Sequence, residues 1–177
     1  MGRGKDDPHF RVDFDNKDKK LPIIACDFAQ LRGEGEDGGT ADSVGETLVA
    51  YDCDVGFTKA IPLPAKGTSK YAVLGITRFI QSFFHSKVVL RSGNEPAILA
   101  LCAEVEKELP GRVIVQSTPR YSSPSTPAER AIQIIEEQFR TLKLDCEARY
   151  GIKIHTYHIV RPWIIRHAGY LAARYRT

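Results

Sequence analysis

The sequence predicts an α/β domain in which helices cover a five-stranded mixed sheet. Three observations predict it: three short apolar strand patterns come first, two further strand patterns follow, and helical patterns separate and follow these two. Strands joined through short turns pair antiparallel, whereas strands joined through helices make right-handed parallel crossovers. We therefore expect three antiparallel strands followed by two parallel ones, with helices packed against the sheet.

The first three strands are short apolar stretches bounded by turn-forming residues. Residues 21–28 form an apolar run with the length of a buried strand. Residues 32–46 are rich in glycine and acids and predict a loop. Residues 47–51 and 57–63 are the next two strands, and the turn at 53–56 between them predicts an antiparallel meander.

Helices and strands then alternate. Apolar residues spaced by three and four predict a helix over 69–84, and a strand follows over 87–90. A second amphipathic helix covers 96–109, and the Pro-Gly pair at 110–111 stops it. Residues 112–116 are the fifth strand.

The longest helix pattern runs from residue 127 to about 150. A loop rich in Ser, Pro and Thr precedes it over 117–127. Pro127 suits the first helical position and Gly151 can end the helix. A last helix is expected over about 161–174.

Length and composition fit one globular domain. The chain has 177 residues, of which 42% are hydrophobic and 27% charged. No apolar run approaches the ~20 residues of a membrane helix. Residues 1–20 are charged throughout, have few apolar positions and lack the apolar core of a signal peptide. We expect a flexible leader there, or the linker from an upstream domain.

The cysteines indicate a reducing compartment. They are scattered and form no CxxC pair, so neither a disulfide framework nor a zinc ribbon is expected: Cys26, Cys53, Cys102 and Cys146. We therefore expect an intracellular protein without a membrane anchor.

Charge is unevenly distributed along the chain. Residues 32–54 carry seven acids and one base, residues 55–111 seven bases and four acids, and residues 112–177 eleven bases and five acids. Nine of those last eleven bases are arginines, whose guanidinium forks suit phosphate. This points to nucleic acid. A solvated helix surface is the alternative that charge alone favours.

The order of elements resembles that of the RNase H-like fold. This resemblance implies carboxylates that hold divalent ions for phosphoryl transfer on nucleic acid. In that fold, the acids that hold the ions lie at the end of the first strand, just after the fourth strand, and on the long helix. Asp27 fills the first place and Glu129 the third. The second falls within residues 88–96, where the expected acid is absent.

Three stretches carry a resemblance to a known family. They read Ala-Cys-Asp-Phe at 25–28, Leu-Arg-Ser-Gly-Asn-Glu-Pro-Ala at 90–97, and Thr-Pro-Arg-Tyr-Ser-Ser at 118–123 running into Ala-Glu-Arg-Ala-Ile-Gln at 128–133. Over roughly residues 20–175 the chain resembles the catalytic core of retroviral-type and retrotransposon integrases. Positions 93 and 129 keep the family's spacing between second and third acid, but position 93 is glycine.

The resemblance implies a domain over 21–177 that binds DNA and joins it by metal-dependent strand transfer. Asp27 and Glu129 would be catalytic residues and ligands of Mg²⁺ or Mn²⁺, whereas Gly93 is a lost catalytic position. Weakened ion binding and impaired activity are expected. Further copies of the chain and other domains of a retroelement polyprotein are implied as partners, with action in the nucleus of a eukaryotic host.

Residues around the long helix are the candidate DNA contacts. Tyr121 matches the family's loop tyrosine, and neighbouring arginines suit phosphate. On the helix, residues four and eleven positions after Glu129 share roughly its face. The candidates are Arg120, Tyr121, Arg130, Gln133 and Arg140.

Each assignment has an alternative. Asp27 can simply cap a turn, and Glu129 completes a capping box with Thr126. Glu95 lies near the missing acid, but a shift of two residues re-aims a side chain at a strand end. A catalytically silent module that binds nucleic acid or dimerises is the alternative function, and Gly93 favours it. The element order and residues 118–133 argue against an RNase H-type nuclease.

Overall fold

The computed structural model describes residues 21–32, 45–118 and 127–175. The predicted leader over 1–20 and the predicted cap Thr126 lie outside these ranges. None of the helices within them has the length and apolar content needed to cross a lipid bilayer. The elements are, in chain order, β1 (Ile23–Ala29), β2 (Glu46–Asp52), β3 (Thr58–Leu63), α1 (Lys70–Gln81), β4 (Val88–Ser92), α2 (Pro96–Glu108), β5 (Val113–Ser117), α3 (Pro127–Tyr150) and α4 (Arg161–Arg174).

The five strands form one mixed sheet in the order β3-β2-β1-β4-β5. β2 runs antiparallel to both β1 and β3, and Asp27 of β1 lies opposite Val49 of β2. β4 pairs parallel with β1, and β5 pairs parallel with β4. The expectation of three antiparallel strands followed by two parallel ones is confirmed.

β3 is an edge strand of this sheet. It carries Lys59, which lies opposite Ala50 of β2, and Pro62, which lies opposite Thr47. Because proline has no N–H to donate to a ladder, it is tolerated at a sheet edge and not at its centre.

Apolar side chains cover both faces of the sheet, which is why helices lie on both sides. Alternating residues of a strand point to opposite faces. In β2, Leu48 and Ala50 join the core beneath α1 and α2, whereas Val49 joins the core beneath α3 and α4. Fully buried side chains of the second core include Leu31, Ile135, Phe139, Ile154 and Ile164.

Two glycines allow helices to approach β3 closely. A Cβ atom added to Gly75 of α1 would lie 2.6 Å from Cδ1 of Ile61. One added to Gly169 of α4 would lie 2.8 Å from the backbone nitrogen of Ala60. Thr58 Oγ1 also donates to the carbonyl of Gly169 at 3.2 Å. β3 therefore packs closely between α1, which contacts the Ile61 side chain, and α4, which contacts the backbone of Ala60.

The helix ends follow the sequence signals. The Ser69 hydroxyl caps α1 by accepting a hydrogen bond from the Ala72 amide at 3.2 Å. α3 begins at Pro127 and ends at Tyr150, and Gly151 follows with φ +64°. A left-handed residue after a helix favours glycine because a Cβ atom is disfavoured there.

Glu147, near the end of α3, holds the segment that leads into α4. Its Oε1 accepts a hydrogen bond from the Ile154 amide at 2.8 Å. The ammonium groups of Lys143 and Lys153 each lie 3.7 Å from one of its carboxylate oxygens. The backbone hydrogen bond, followed by these two charges, lowers the pKa of Glu147 below its ordinary value of 4.5.

We expect Glu147→Gln to lower the free energy of unfolding at neutral pH by about 1 kcal/mol. The side-chain oxygen of glutamine can still accept the hydrogen bond from the Ile154 amide, but it carries no negative charge. A depressed folded-state pKa means that this stabilisation is present above pH 4.5 and is lost as pH falls through the folded value. The melting temperatures of the parent chain and of Glu147→Gln should therefore converge as the pH falls from neutral to acidic values. Glu137→Gln, at an exposed position of α3, is the control. A difference that stays constant with pH would contradict this assignment.

Candidate active site

Asp27 lies near the end of the central strand β1 and is half-buried. Its Oδ1 accepts a hydrogen bond from the Phe28 amide at 2.8 Å. Burial is the main cause that raises the pKa of Asp27 above its ordinary value of 3.8, and the charges of Glu95 and Glu129 add to it. The Phe28 hydrogen bond and the charge of Lys66 oppose the shift. Asp27 therefore lies in a region where negative charge already accumulates.

Gly93 directly follows β4 and lies beside Asp27. Cys26 of β1 pairs with Ser92 of β4, so the next residues, Asp27 and Gly93, lie side by side near the ends of these two parallel strands. A Cβ atom added to Gly93 would lie 3.8 Å from Oδ2 of Asp27. The φ angle of Gly93 is outside the left-handed region, so its backbone suits an L-amino acid.

Hydrogen bonds fix the loop after β4 to the end of β5. The Asn94 side-chain amide donates to the Thr118 carbonyl at 2.6 Å. The Thr118 amide and hydroxyl donate back to the Ser92 carbonyl at 2.9 and 3.0 Å. These bonds hold the backbone of Gly93 in place, because it lies between two of the bonded residues.

The first turn of α3 brings Glu129 to the same place. Asp27, Gly93 and Glu129 line a single cavity of about 80 Å³ at the ends of β1 and β4. The other residues that line it come from the same strand ends and from the start of α3: Ala25, Cys26, Arg91, Ser92, Thr118, Pro127 and Ala128. The structure thus brings together the three positions that the sequence singled out.

The donor set of this cavity does not fit a two-ion site. Within the described ranges, no group of three or more His, Cys, Asp and Glu side chains could hold a metal ion. The cavity offers two carboxylates, and the third position is a glycine. Two closely spaced dications need several converging carboxylates to offset their repulsion.

Glu95 does not replace the missing acid. Its Oε1 lies 2.9 Å from the ammonium of Lys66, and it does not line the cavity. The side-chain hydrogen bond with Glu95 raises the pKa of Lys66, and the negative charges of Glu95, Glu46 and Asp27 raise it further. The sequence did not reveal this cation, because Lys66 lies 29 residues before Glu95 in a loop without a motif.

The candidate DNA contacts divide into three groups. Arg130 and Gln133 are exposed in the first turns of α3, next to Glu129. Arg140 is also exposed, but its guanidinium donates to Glu136 at 2.8 Å and to the Arg32 carbonyl at 3.2 Å. It lies about 16 Å along the helix from Glu129. The last two candidates, Arg120 and Tyr121, lie outside the described residues.

No protein-family model and no curated protein matches the chain. Solved structures do match its fold. The HTLV-2 integrase catalytic core domain in complex with magnesium matches in its dimeric form with a TM-score of 0.54 and 16% identity, over 85% of this chain and 86% of that chain. Its trimeric form gives the same TM-score and identity.

The simian T-cell lymphotropic virus intasome in complex with PP2A regulatory subunit B56 gamma matches with a TM-score of 0.60 and 14% identity. The match covers 85% of this chain and 48% of that chain. At these identities the similarity is one of fold. The sheet order and flanking helices agree with it, and the chain has the RNase H-like fold of retroviral integrase catalytic core domains.

Proposed function

We propose that the chain is the integrase catalytic core of a retroelement, which binds DNA at the cavity face and whose strand transfer is impaired by Gly93. One observation carries the proposal. In a fold shared with retroviral integrase cores, Asp27, Gly93 and Glu129 line one cavity at the ends of β1 and β4.

The two remaining acids have defined parts in this proposal. Asp27 and Glu129 are the catalytic positions that remain, and Mg²⁺ or Mn²⁺ is the ion class that their oxygens suit. The HTLV-2 core matched above was solved with magnesium, which supports the choice of ion. With position 93 uncharged, we expect weak ion binding and little or no strand transfer.

DNA binding depends on the exposed start of α3. Arg130 and Gln133 stand beside the cavity, where they suit a phosphate backbone. Arg120, Tyr121 and Arg140 are proposed as outer contacts of the same DNA. Like the relatives solved as a dimer, a trimer and an intasome, the chain is proposed to act as several copies.

A catalytically silent module that binds nucleic acid or dimerises is the second candidate. The observation that favours it is the glycine beside Asp27, which leaves the cavity with two acids. The two candidates differ in residual activity. An impaired enzyme loses its last strand transfer when Asp27→Asn is introduced, whereas a silent module shows the same background in both chains.

We expect Arg130→Gln/Gln133→Ala to weaken binding to duplex DNA and to flatten its salt dependence. Losing one phosphate contact should make the slope of log affinity against log salt shallower by about 0.9. Anisotropy of a labelled duplex over a salt series measures both effects. Arg149→Gln is the control, because it removes the same charge from an exposed position about 30 Å further along α3. Equal losses in both variants would remove the cavity face as the DNA site.

The remaining organisation is also proposed. Residues 1–20 are a charged leader and residues 21–177 the core-like domain. Other domains of the element complete the working protein, which acts inside the cell and, in a eukaryotic host, in the nucleus.

A further inference from the structure

One lysine lies at the same end of the sheet as the candidate active site. Lys66 belongs to the loop between β3 and α1, and its ammonium lies 2.9 and 3.1 Å from the two carboxylate oxygens of Glu95. β2 runs antiparallel to β1 and β3, and β4 runs parallel to β1. The loops that follow β1, β3 and β4 therefore emerge at one end of the sheet, where Asp27 lies.

The backbone fixes the distance from this ion pair to the cavity. Glu95 comes two residues after Gly93, whose added Cβ atom would lie 3.8 Å from Oδ2 of Asp27. Asn94, between them, is tied to the Thr118 carbonyl at 2.6 Å. Neither Lys66 nor Glu95 lines the cavity, so the pair lies at its rim.

Lys66 is accessible to a partner from solution. Its side chain is 37% exposed and that of Glu95 is 42% exposed. Gly67 follows with φ +135°, and no described residue beyond its chain neighbours comes within 4 Å of a Cβ atom added there. Because water solvates both ions of an exposed pair, such a pair is weak. Lys66 can therefore exchange Glu95 for another anion at little cost.

The charges around the cavity call for a cation at this rim. Asp27, Glu46 and Glu95 all act on Lys66 and raise its pKa, so Lys66 stays charged among three acids. These acids repel a DNA backbone that approaches Asp27. The cavity lacks the carboxylates that would hold two divalent ions against that repulsion. Lys66 is a cation that the chain itself supplies there.

We propose that Lys66 binds a backbone phosphate of duplex DNA at the rim of the cavity, and that Glu95 holds its ammonium in place until DNA replaces it. This inference rests on the proposed function and adds a contact to it. An ammonium is a compact charge that suits a phosphate oxygen, and such contacts position a duplex without reading its sequence.

The new contact complements the one proposed on α3. The loop of Lys66 leads into α1, which packs on one face of the sheet, whereas Arg130 lies on α3, which packs on the other face. Both residues are exposed. A backbone that crosses the end of the sheet over the cavity would therefore meet a cation from each side.

A purely structural ion pair is the competing explanation. The Lys66–Glu95 pair would then only tie the loop after β3 to the start of α2. In that case the loss of either partner should act in the same direction on stability and leave DNA binding unchanged. Our proposal instead predicts opposite effects of the two partners on DNA binding.

The test is anisotropy of a labelled duplex over a salt series in chelator, so that no divalent ion supplies the contact. At about 0.1 M salt, Lys66→Gln should weaken binding by about eightfold and make the slope of log affinity against log salt shallower by about 0.9. Lys66→Arg keeps the charge and should bind nearly as the parent does. Glu95→Gln should tighten binding by up to about fivefold, because no carboxylate then competes for Lys66.

A double variant shows whether the gain acts through Lys66. In the Lys66→Gln chain, Glu95→Gln should lose most of its effect, because the two residues are coupled. If Glu95→Gln tightened binding equally with and without Lys66, the proposal would be overturned.

A second exposed ion pair provides the matched control. Lys107 lies 2.7 Å from Glu104 on α2, and it is about 18 Å along the helix from Glu95. Lys107→Gln and Glu104→Gln should leave duplex binding nearly unchanged, and melting temperatures check that every variant is folded. Equal binding by Lys66→Gln and Lys107→Gln would also overturn the proposal.

The α3 variant separates this inference from the proposed function. If Arg130→Gln/Gln133→Ala weakens duplex binding and Lys66→Gln does not, the rim contact is wrong and the proposed DNA face remains. If the parent chain binds no duplex even at low salt, the proposed function fails, and the rim contact fails with it.

Discussion

Gly93→Asp should bind Mn²⁺ at least about tenfold more tightly than the parent chain. Even changes to residues that only support a metal ligand alter affinity by about 10–100-fold. A new carboxylate beside the ion should do more. At an effective dielectric constant of about 20, a carboxylate and a divalent ion about 4 Å apart attract by about 8 kcal/mol before desolvation is subtracted. Isothermal calorimetry of the two chains measures the difference.

The local geometry favours this substitution. The added Cβ would lie 3.8 Å from Asp27 Oδ2, which is ordinary contact distance, and the φ angle of Gly93 strains no side chain. Without metal, however, the introduced carboxylate repels Asp27, whose pKa burial already raises. We therefore expect Gly93→Asp to lose about 1 kcal/mol of stability in chelator. Added Mn²⁺ should reverse that loss.

Two controls separate charge from shape. Gly93→Asn adds a side chain of the same size without charge and should give no gain in affinity. Gly93→Asp combined with Asp27→Asn should lose most of the gain, because both carboxylates are needed at one ion. Equal Mn²⁺ affinity in the parent and Gly93→Asp would place the second carboxylate elsewhere. Robust strand transfer by the parent would have the same meaning.

Phe139→Ala should lower the free energy of unfolding by about 3–5 kcal/mol. Phe139 lies on α3 and is fully buried in the core shared with α4. Its ring also faces the buried Arg161, whose Cζ lies 4.9 Å from the ring centroid and whose guanidinium donates to the Leu31 carbonyl at 2.5 Å. The truncation therefore opens a cavity and exposes a buried cation to it.

Urea unfolding followed by circular dichroism measures the loss. Leu144→Ala on the same helix is the control, because Leu144 is 48% exposed and its truncation should change stability by about 0.5 kcal/mol or less. If both variants lost the same small amount, Phe139 would not be the packing centre of α3 and α4.

The sequence was sufficient for the fold because its signals are local. Short apolar runs predict the strands, and apolar residues spaced by three and four predict the helices. Pro127 and Gly151 bound α3, and the antiparallel-then-parallel pairing follows from the connections. The expected and observed elements differ only in where they begin and end. β4 extends to Ser92, two residues beyond the expected strand, because its backbone continues to pair with β5 as far as Ser117.

The site could be located from the sequence only in part. Asp27 and Glu129 could be found because the fold that the elements resemble places acids at a strand end and on the long helix. The lost acid at Gly93 could be found only through the resemblance to integrase cores, whose spacing positions 93 and 129 keep. The Lys66–Glu95 pair could not, because it joins residues 29 positions apart in sequence. Contacts of that kind depend on how helices pack, and no periodicity encodes which cation meets which acid.

The composition of β3 also bears on how the protein behaves in concentrated solution. An exposed edge strand offers unpaired backbone groups on which a strand of another molecule can add, and growth by such addition leads to aggregates. In β3, Pro62 removes one donor from that template and Lys59 places a charge within it. The glycine contacts of α1 and α4 hold the strand from both faces. Protection against edge-to-edge aggregation is therefore built into the composition of β3 and into its contacts with both helices.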